Sequence, residues 1–132
     1  MKVLLDSNIF LEMILEQEKA TEVRTLFERA ENYDFFITDY SLHSVGLLLF
    51  RRNQHEMLEE FTKDLMAMAV QIISISLTDL GALARVSRMF KLDFDDAYQY
   101  VAAEKLQLTI VSFDSDFDRT ERGRQSPAQL VA

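Results

Sequence analysis

Four aspartates stand at positions where a folded chain can bring side chains together. Asp6 ends the first apolar segment, Asp114 and Asp116 follow a later one, and Asp96 opens a helical pattern. In an open parallel sheet, side chains at the carboxyl ends of neighbouring strands converge on one crevice. Carboxylates gathered there repel one another unless a cation holds them, and Mg²⁺ and Mn²⁺ prefer oxygen ligands. The pattern therefore predicts a divalent-cation site and metal-assisted phosphodiester chemistry.

Each acidic segment also has a purely structural interpretation. Asp6-Ser7-Asn8 can cap a helix, the acids from 93 to 96 can stabilise a helix dipole, and Asp114–Asp118 can form a polar turn. Three acids within four residues exceed what one cap needs. The metal interpretation depends on the conjunction of three acid-bearing sites rather than on any one of them.

The composition limits the class of protein. A chain of 132 residues with 48% hydrophobic content fits one domain, 1–132, with a packed core. The absence of cysteine excludes disulfides, cysteine-based zinc sites and a thiol nucleophile. The apolar segments are too short to span a bilayer, and the first residues enter a strand pattern rather than a signal peptide. We expect a cytoplasmic protein with no membrane association.

The net charge of −8 argues against nucleic-acid binding through a broadly basic face. It does not exclude a nuclease, because clustered acids bias the count and a bound cation would offset them locally. The candidates for phosphate contacts are the arginines Arg51, Arg52, Arg85, Arg88, Arg119, Arg122 and Arg124.

Four apolar segments predict strands, and amphipathic patterns between them predict helices. The predicted strands are Lys2–Leu5, Phe35–Thr38, Gln71–Ile75 and Leu108–Ser112. The expected helix starts are Ser41 or Asp39, then Thr78, then Asp95 or Asp96. Alternation of strands and helices predicts an α/β fold with a parallel sheet and helices on both faces. Right-handed crossovers would place the loops after the strands on a common edge.

Several segments together resemble the PIN-domain family. Val3 to Phe10 is similar to the family's first motif, a strand ending in Asp followed by Ser or Thr and often Asn. Asp96-Ala97 resembles the third motif, and Val111 to Phe117 resembles the fourth, in which a strand is followed by Thr or Ser, spaced Asp residues and Phe. Ser126 to Leu130 is similar to the Pro-Ala-Glu-type ending of many such chains.

The resemblance implies a PIN-like three-layer α/β/α fold with a central, mainly parallel sheet of about four to five strands. It implies a Mg²⁺- or Mn²⁺-dependent endoribonuclease that hydrolyses RNA phosphodiester bonds, of the VapC type that serves as the toxin of a type II toxin–antitoxin pair. The implied partners are an RNA substrate, an antitoxin protein and a second copy of the chain in a homodimer.

Carried over residue by residue, the resemblance makes Asp6, Asp96, Asp114 and Asp116 the catalytic, metal-binding carboxylates. Ser7, Asn8 and Ser112 would orient those carboxylates and water around the metal.

One position departs from the family pattern. The second motif normally carries a Glu where this chain has Ser44, with His43 beside it. A serine cannot supply the missing charge, although it can hold a metal-bound water. His43 is a candidate ligand or proton-transfer group. Glu12, Asp39 and Asp95 are candidates to replace the lost charge.

Two alternative functions remain. A PIN-like domain that has lost catalytic power with its second acid would act as a protein-binding or RNA-binding module. A phosphotransfer enzyme or receiver domain with Asp6 as the nucleophile fits less well, because Asp6-Ser7-Asn8 lacks the second acid of an Asp-x-Asp motif. The absence of a glycine-rich loop excludes Walker-type nucleotide binding.

Overall fold

All four strands are short and run parallel in one sheet. They are β1 (Lys2–Leu5), β2 (Asp34–Thr38), β3 (Gln71–Ile73) and β4 (Thr109–Val111), in the spatial order β3-β2-β1-β4. The computed structural model describes residues 1–132. β1 is paired on both sides, so its apolar residues Val3–Leu5 are fully buried, as parallel strands with both faces covered require.

Seven helices cover the two faces of the sheet and confirm the predicted three-layer α/β/α fold. They are α1 (Ser7–Ile14), α2 (Ala20–Glu28), α3 (Asp39–Arg51), α4 (His55–Ala67), α5 (Leu80–Phe90), α6 (Phe94–Leu106) and α7 (Pro127–Val131). The core residues of α1 to α4 form one cluster, and those of α5 and α6 form another.

The alternation of side chains along β1 separates these two clusters. Val3 and Leu5 pack with the residues of α1 to α4, whereas Leu4 packs with those of α5 and α6. Successive strand residues point to opposite faces of a sheet, so a short apolar strand supplies both cores at once.

The chain order of the strands creates a switch point between β1 and β4. From β1 the chain moves outward through β2 to β3, and the helices α5 and α6 then return it to β4 on the other side of β1. Crossovers that leave in opposite directions open a crevice beyond the carboxyl ends of the two strands, which is where ligands bind in such sheets. Asp6 follows β1 directly, and Asp114 stands three residues beyond the end of β4.

Helix α6 brings the remaining acid to this crevice. All residues from Asp96 to Ala103 are buried, and three of them are alanines. Small side chains let a helix approach its neighbours closely, and burial on all sides identifies α6 as a core helix. The side chain of Asp93 accepts a hydrogen bond from the backbone N–H of Asp96 and caps the helix.

Three helix starts differ from the sequence predictions. Thr38, rather than Ser41 or Asp39, caps α3, because its hydroxyl accepts from the Ser41 N–H at 2.9 Å. Ser76, rather than Thr78, forms a capping box with Asp79 in the 3₁₀ turn before α5. The start of α6 lies earlier than predicted, because Asp93 is its cap. In each case the preferred cap is an Asp, Ser or Thr that precedes the predicted one by one to three residues.

No helix of the chain has the length and hydropathy to cross a membrane.

Aromatic packing beneath α1 yields a stability prediction. Phe10 is 1% exposed, and its ring centroid lies 5.1 Å from that of Phe61 and 5.7 Å from that of Phe27. Phe10→Ala should lower the free energy of unfolding by about 3–5 kcal/mol, because it leaves a cavity among rigid rings. Met66→Ala, at a side chain 75% exposed, should change it by less than about 0.5 kcal/mol. Chemical denaturation of both variants tests this, and equal losses would contradict it.

Candidate metal centre

Asp6 is buried and is held from two sides. It continues the β1 ladder by donating its backbone N–H to the Val111 carbonyl at 3.0 Å. Its side chain is 5% exposed. Oδ2 accepts from the Ser112 hydroxyl at 2.7 Å, and Oδ1 accepts from the Gln99 amide nitrogen at 2.9 Å. Although Asp6 occupies the cap position of α1, its side chain makes no capping hydrogen bond. The capping interpretation therefore does not account for this carboxylate.

Ser112 connects Asp6 to the loop that follows β4. Its hydroxyl donates to Asp6 and accepts from the Asn8 side-chain amide at 3.3 Å and from the Asp114 backbone N–H at 2.9 Å. One donor and two acceptor sites are all that a hydroxyl has. Asn8 also accepts from the Phe113 N–H at 3.3 Å, and Ser7 donates to Asp6 at 3.4 Å. The structure thus places Ser7, Asn8 and Ser112 around the first carboxylate.

Asp96 keeps a buried oxygen without a partner. Its side chain is 6% exposed, and Oδ2 makes no hydrogen bond. Asp93 performs the capping, so the Asp96 carboxylate is not needed for it. Burial, together with the nearby charges of Asp114, Asp93 and Asp6, raises the pKa of Asp96 to about 8. Burial likewise raises the pKa of Asp6, against the hydrogen bonds from Ser112 and Gln99.

Asp116 lies on a 3₁₀ turn, Ser115–Arg119, and Asp114 caps the start of that turn. Asp114 Oδ1 accepts from the Asp116 backbone N–H at 2.8 Å. Asp116 Oδ1 is paired with the Arg119 guanidinium at 3.0 Å, and that guanidinium also donates to the carbonyls of Phe90 and Lys91 at the end of α5. Both aspartates therefore have a structural role, and each is fixed in place by it.

Three of the predicted carboxylates form one cluster. Asp96, Asp114 and Asp116 each offer an oxygen, and these oxygens all lie within 4.8 Å of one another. A Mg²⁺ or Ca²⁺ ion binds oxygens at about 2.0–2.6 Å, so two of its ligand atoms lie at most about 4–5 Å apart. The spacing and the partnerless oxygen of Asp96 both fit a divalent cation. Asp6 is outside this set of three, but the Ser112 hydroxyl joins it to the loop that carries Asp114, because that hydroxyl donates to Asp6 and accepts from the Asp114 N–H.

The residues around the missing second-motif acid are not hydrogen-bonded to the four aspartates. The Ser44 hydroxyl donates to the Tyr40 carbonyl at 3.1 Å within its own helix. His43 and Asp95 are exposed. Their roles, and that of Ser44, remain predictions.

The two other acids proposed to replace the lost charge have structural partners. Glu12 accepts from the backbone N–H of Lys19 at 2.7 Å, before the start of α2. Asp39 accepts from the Tyr98 hydroxyl and from the Tyr40 N–H, both at 2.8 Å.

The arginines after β4 donate hydrogen bonds to backbone carbonyls. Arg122 donates to the Leu108 carbonyl at 3.0 Å, and Arg124 donates to the Ser112 carbonyl at 3.0 Å and pairs with Asp118. With Arg119 bound at the end of α5, all three brace β4 and the acidic turn. Phosphate contact by these arginines remains a prediction.

Sequence reasoning missed Gln99. This residue is 4% exposed and donates its amide to Asp6, and its own carbonyl oxygen is buried without a partner. The available signal was a single amide inside the otherwise apolar and aromatic segment Ala97–Ala103.

Known proteins show which family shares this sequence pattern and fold. A family model described as PIN domain matches residues 3–123. A toxin–antitoxin complex from Klebsiella pneumoniae is similar in structure, with a TM-score of 0.68 and 21% identity over 95% of this chain and 97% of that chain. PAE2754 from Pyrobaculum aerophilum is similar with a TM-score of 0.65 and 18% identity, over 99% and 96%. At these identities the two structures show the fold alone. No curated protein matches the chain.

The raised pKa of Asp96 gives a pH-dependent prediction for the metal-free protein. Its pKa is about 8 in the folded chain against an ordinary 3.8, so between these values the native state binds more protons than the unfolded state. This contribution to stability is complete below about pH 4 and is lost as the pH rises through about 8. The Asp96→Asn variant should not lose this stability as the pH rises, because an asparagine side chain does not titrate. With a chelator present, its melting temperature should exceed that of the wild type at about pH 8.5, and the difference should shrink as the pH falls and vanish near about pH 4.

Calorimetry at the two pH values measures this difference. The matched control is Asp34→Asn, at an exposed aspartate on the opposite end of the sheet. Its difference in melting temperature from the wild type should not grow between the two pH values. A wild type that is as stable as the Asp96 variant at the higher pH would contradict the prediction.

Proposed function

We propose, since the chain belongs to the PIN domain family, that it is a divalent-metal-dependent endoribonuclease that hydrolyses RNA phosphodiester bonds. PIN domains are generally nucleases that use divalent metals. One observation carries the proposal: Asp96, Asp114 and Asp116 present oxygens within 4.8 Å of one another, and the Asp96 carboxylate also has a buried oxygen without a partner. A cation is the partner that such a set lacks.

In this proposal some side chains bind the cation, and others hold those ligands in position. Asp96, Asp114 and Asp116 would bind Mg²⁺ or Mn²⁺, with Asp6 beside them as the fourth carboxylate. When bound, the cation supplies a water of lowered pKa and offsets charge on the phosphate. Ser112 and Gln99 fix Asp6, and Arg119 fixes Asp116. Ligands that are already fixed need no reorganisation during the reaction. Such preorganised electrostatic stabilisation is usually the largest contribution to the rate.

The negative charge of the chain is consistent with this chemistry. The net charge is −8, and the buried carboxylates repel an RNA phosphate until a cation is bound. Cation binding offsets part of this local charge, so substrate would approach the crevice more readily in the metal-loaded protein. Residues 1–132 act as one domain in this proposal, because all four aspartates and both core layers come from that segment.

The biological setting is proposed from similarity alone. One similar structure is a toxin–antitoxin complex, and we propose that this chain is likewise the toxin of a type II pair in the cytoplasm. Its partners would be an RNA substrate, an inhibitory antitoxin protein and a second copy of the chain.

Loss of an acidic residue should abolish cleavage without unfolding the protein. Asp6→Asn and Asp96→Asn should each lower the rate of Mn²⁺-dependent RNA cleavage by about 100-fold or more, because each removes charge that holds the cation. Asp34→Asn, which changes the same chemical group at the other end of β2, should retain the wild-type rate. Unchanged cleavage by the purified Asp6 and Asp96 variants would refute the assignment.

A second candidate function follows from Ser44. Without the second-motif Glu, the chain could be a protein- or RNA-binding module that no longer cleaves. Ser44→Glu separates the two. In an enzyme with an intact alternative site, the substitution should change the cleavage rate by less than about threefold, a small difference in barrier. A rise of two or more orders of magnitude, measured in the same Mn²⁺ assay, would indicate a weakened site and favour the binding module.

A further inference from the structure

Gln99 occupies a position where the core offers no reason for an amide. It lies in the middle of α6, one turn after Asp96, and is 4% exposed. Its neighbours on the helix are apolar or aromatic from Ala97 to Ala103. An apolar side chain would fill such a position without cost, whereas a buried amide must find partners for its nitrogen and its oxygen.

The orientation of the amide is fixed by chemistry. The side-chain atom 2.9 Å from Asp6 Oδ1 must be the nitrogen, because an ionised carboxylate only accepts hydrogen bonds. The carbonyl oxygen therefore points away from that contact, and it is buried with no partner.

Two partnerless oxygens thus lie within one turn of α6. Asp96 Oδ2 and Gln99 Oε1 are both buried without hydrogen bonds. Residues three apart share a face of a helix, and on this face Gln99 donates its amide to Asp6. Only one other buried side-chain atom lacks a partner, Gln54 Oε1, which lies beyond the carboxyl end of α3. Unmet acceptors are thus concentrated at the acidic site.

Gln99 also links the position of Asp6 to that of Asp96. The Asp6 carboxylate is held by Ser112 from the β4 side and by Gln99 from the α6 side. Since α6 carries Asp96 and the loop after β4 carries Asp114, these two hydrogen bonds set the first carboxylate relative to both of the others.

We propose that Gln99 is a positioning residue of the metal site. Its amide nitrogen holds Asp6 in place, and its carbonyl oxygen gives an uncharged acceptor to the water shell of the bound cation. The inference rests on the metal-binding part of the proposed function.

The test measures Mn²⁺ binding with no RNA present. Gln99→Met keeps an unbranched side chain of similar length and removes both polar atoms. Gln99→Asn keeps the amide but shortens it by one methylene, so that it no longer reaches Asp6. Each should weaken Mn²⁺ binding, followed by titration with electron paramagnetic resonance, by about 10–100-fold, the usual effect of losing a partner of a metal ligand.

Gln54→Met is the matched control. It removes another glutamine with a buried, partnerless oxygen, at the opposite end of α3 from the crevice, about 20 Å along the helix axis for its 13 residues. This variant should bind Mn²⁺ as the wild type does. Melting temperatures without metal establish that all three variants are folded, and the Asn variant provides the test if the Met variant is not.

The outcomes distinguish this inference from the proposed function. Wild-type Mn²⁺ affinity in a folded Gln99 variant overturns the inference, whatever the RNA assay shows, and so does an equal loss in the Gln54 variant. If wild-type protein binds Mn²⁺ and the Gln99 variants do not, the inference stands even where no RNA is cleaved, and only the ribonuclease proposal fails. A wild type that binds no Mn²⁺ overturns both.

Discussion

Asp6 and Asp96 are nearly buried, and the negative charge of Asp114 acts on both of them. Charged groups removed from water without a counter-charge are costly, and an unpartnered polar atom alone costs about 1–3 kcal/mol. The raised pKa of both residues expresses this cost. The rest of the fold must therefore be stable enough to hold these carboxylates together until a proton or a cation offsets the repulsion.

The scaffold meets this requirement through the strand order. β1 lies inside the sheet, so its backbone is paired on both sides and its end can carry Asp6 rigidly into the crevice. β4 joins from the other direction and is braced by Arg122 and Arg124, which bond to the carbonyls of Leu108 and Ser112. Packing on both faces of the sheet supplies the stability that the acidic cluster lacks. The apolar residues within the short strands thus provide stability, whereas the residues that follow the carboxyl ends of β1 and β4 contribute to the acidic site.

The architecture was predictable from the sequence, because the short apolar segments that form buried strands are local patterns. Local patterns also made Asp6, Asp96, Asp114 and Asp116 candidates, and the last three present oxygens within 4.8 Å of one another. What the sequence did not reveal depends on contacts between distant segments. Gln99 contacts Asp6 across 93 positions of the chain, and the arginines bond to carbonyls whose positions no local pattern gives. Helix caps were displaced by one to three residues, since several Asp, Ser and Thr residues competed for each start.

At two helix starts, the acid that caps the helix can be distinguished from an acid that does not cap it. In the first turn of α6, Asp93 accepts the backbone hydrogen bond and Asp96 accepts none. At the end of β1, Asp6 stands at the cap position but turns its side chain towards Ser112 and Gln99. An acid that only stabilised a helix would bond to the helix backbone or face water, because either choice avoids the desolvation cost. These two carboxylates do neither. Asp6 is held by hydrogen bonds from Ser112 and Gln99, whereas Asp96 keeps a buried oxygen without a partner, and the proposed cation would offset the cost of burying that oxygen.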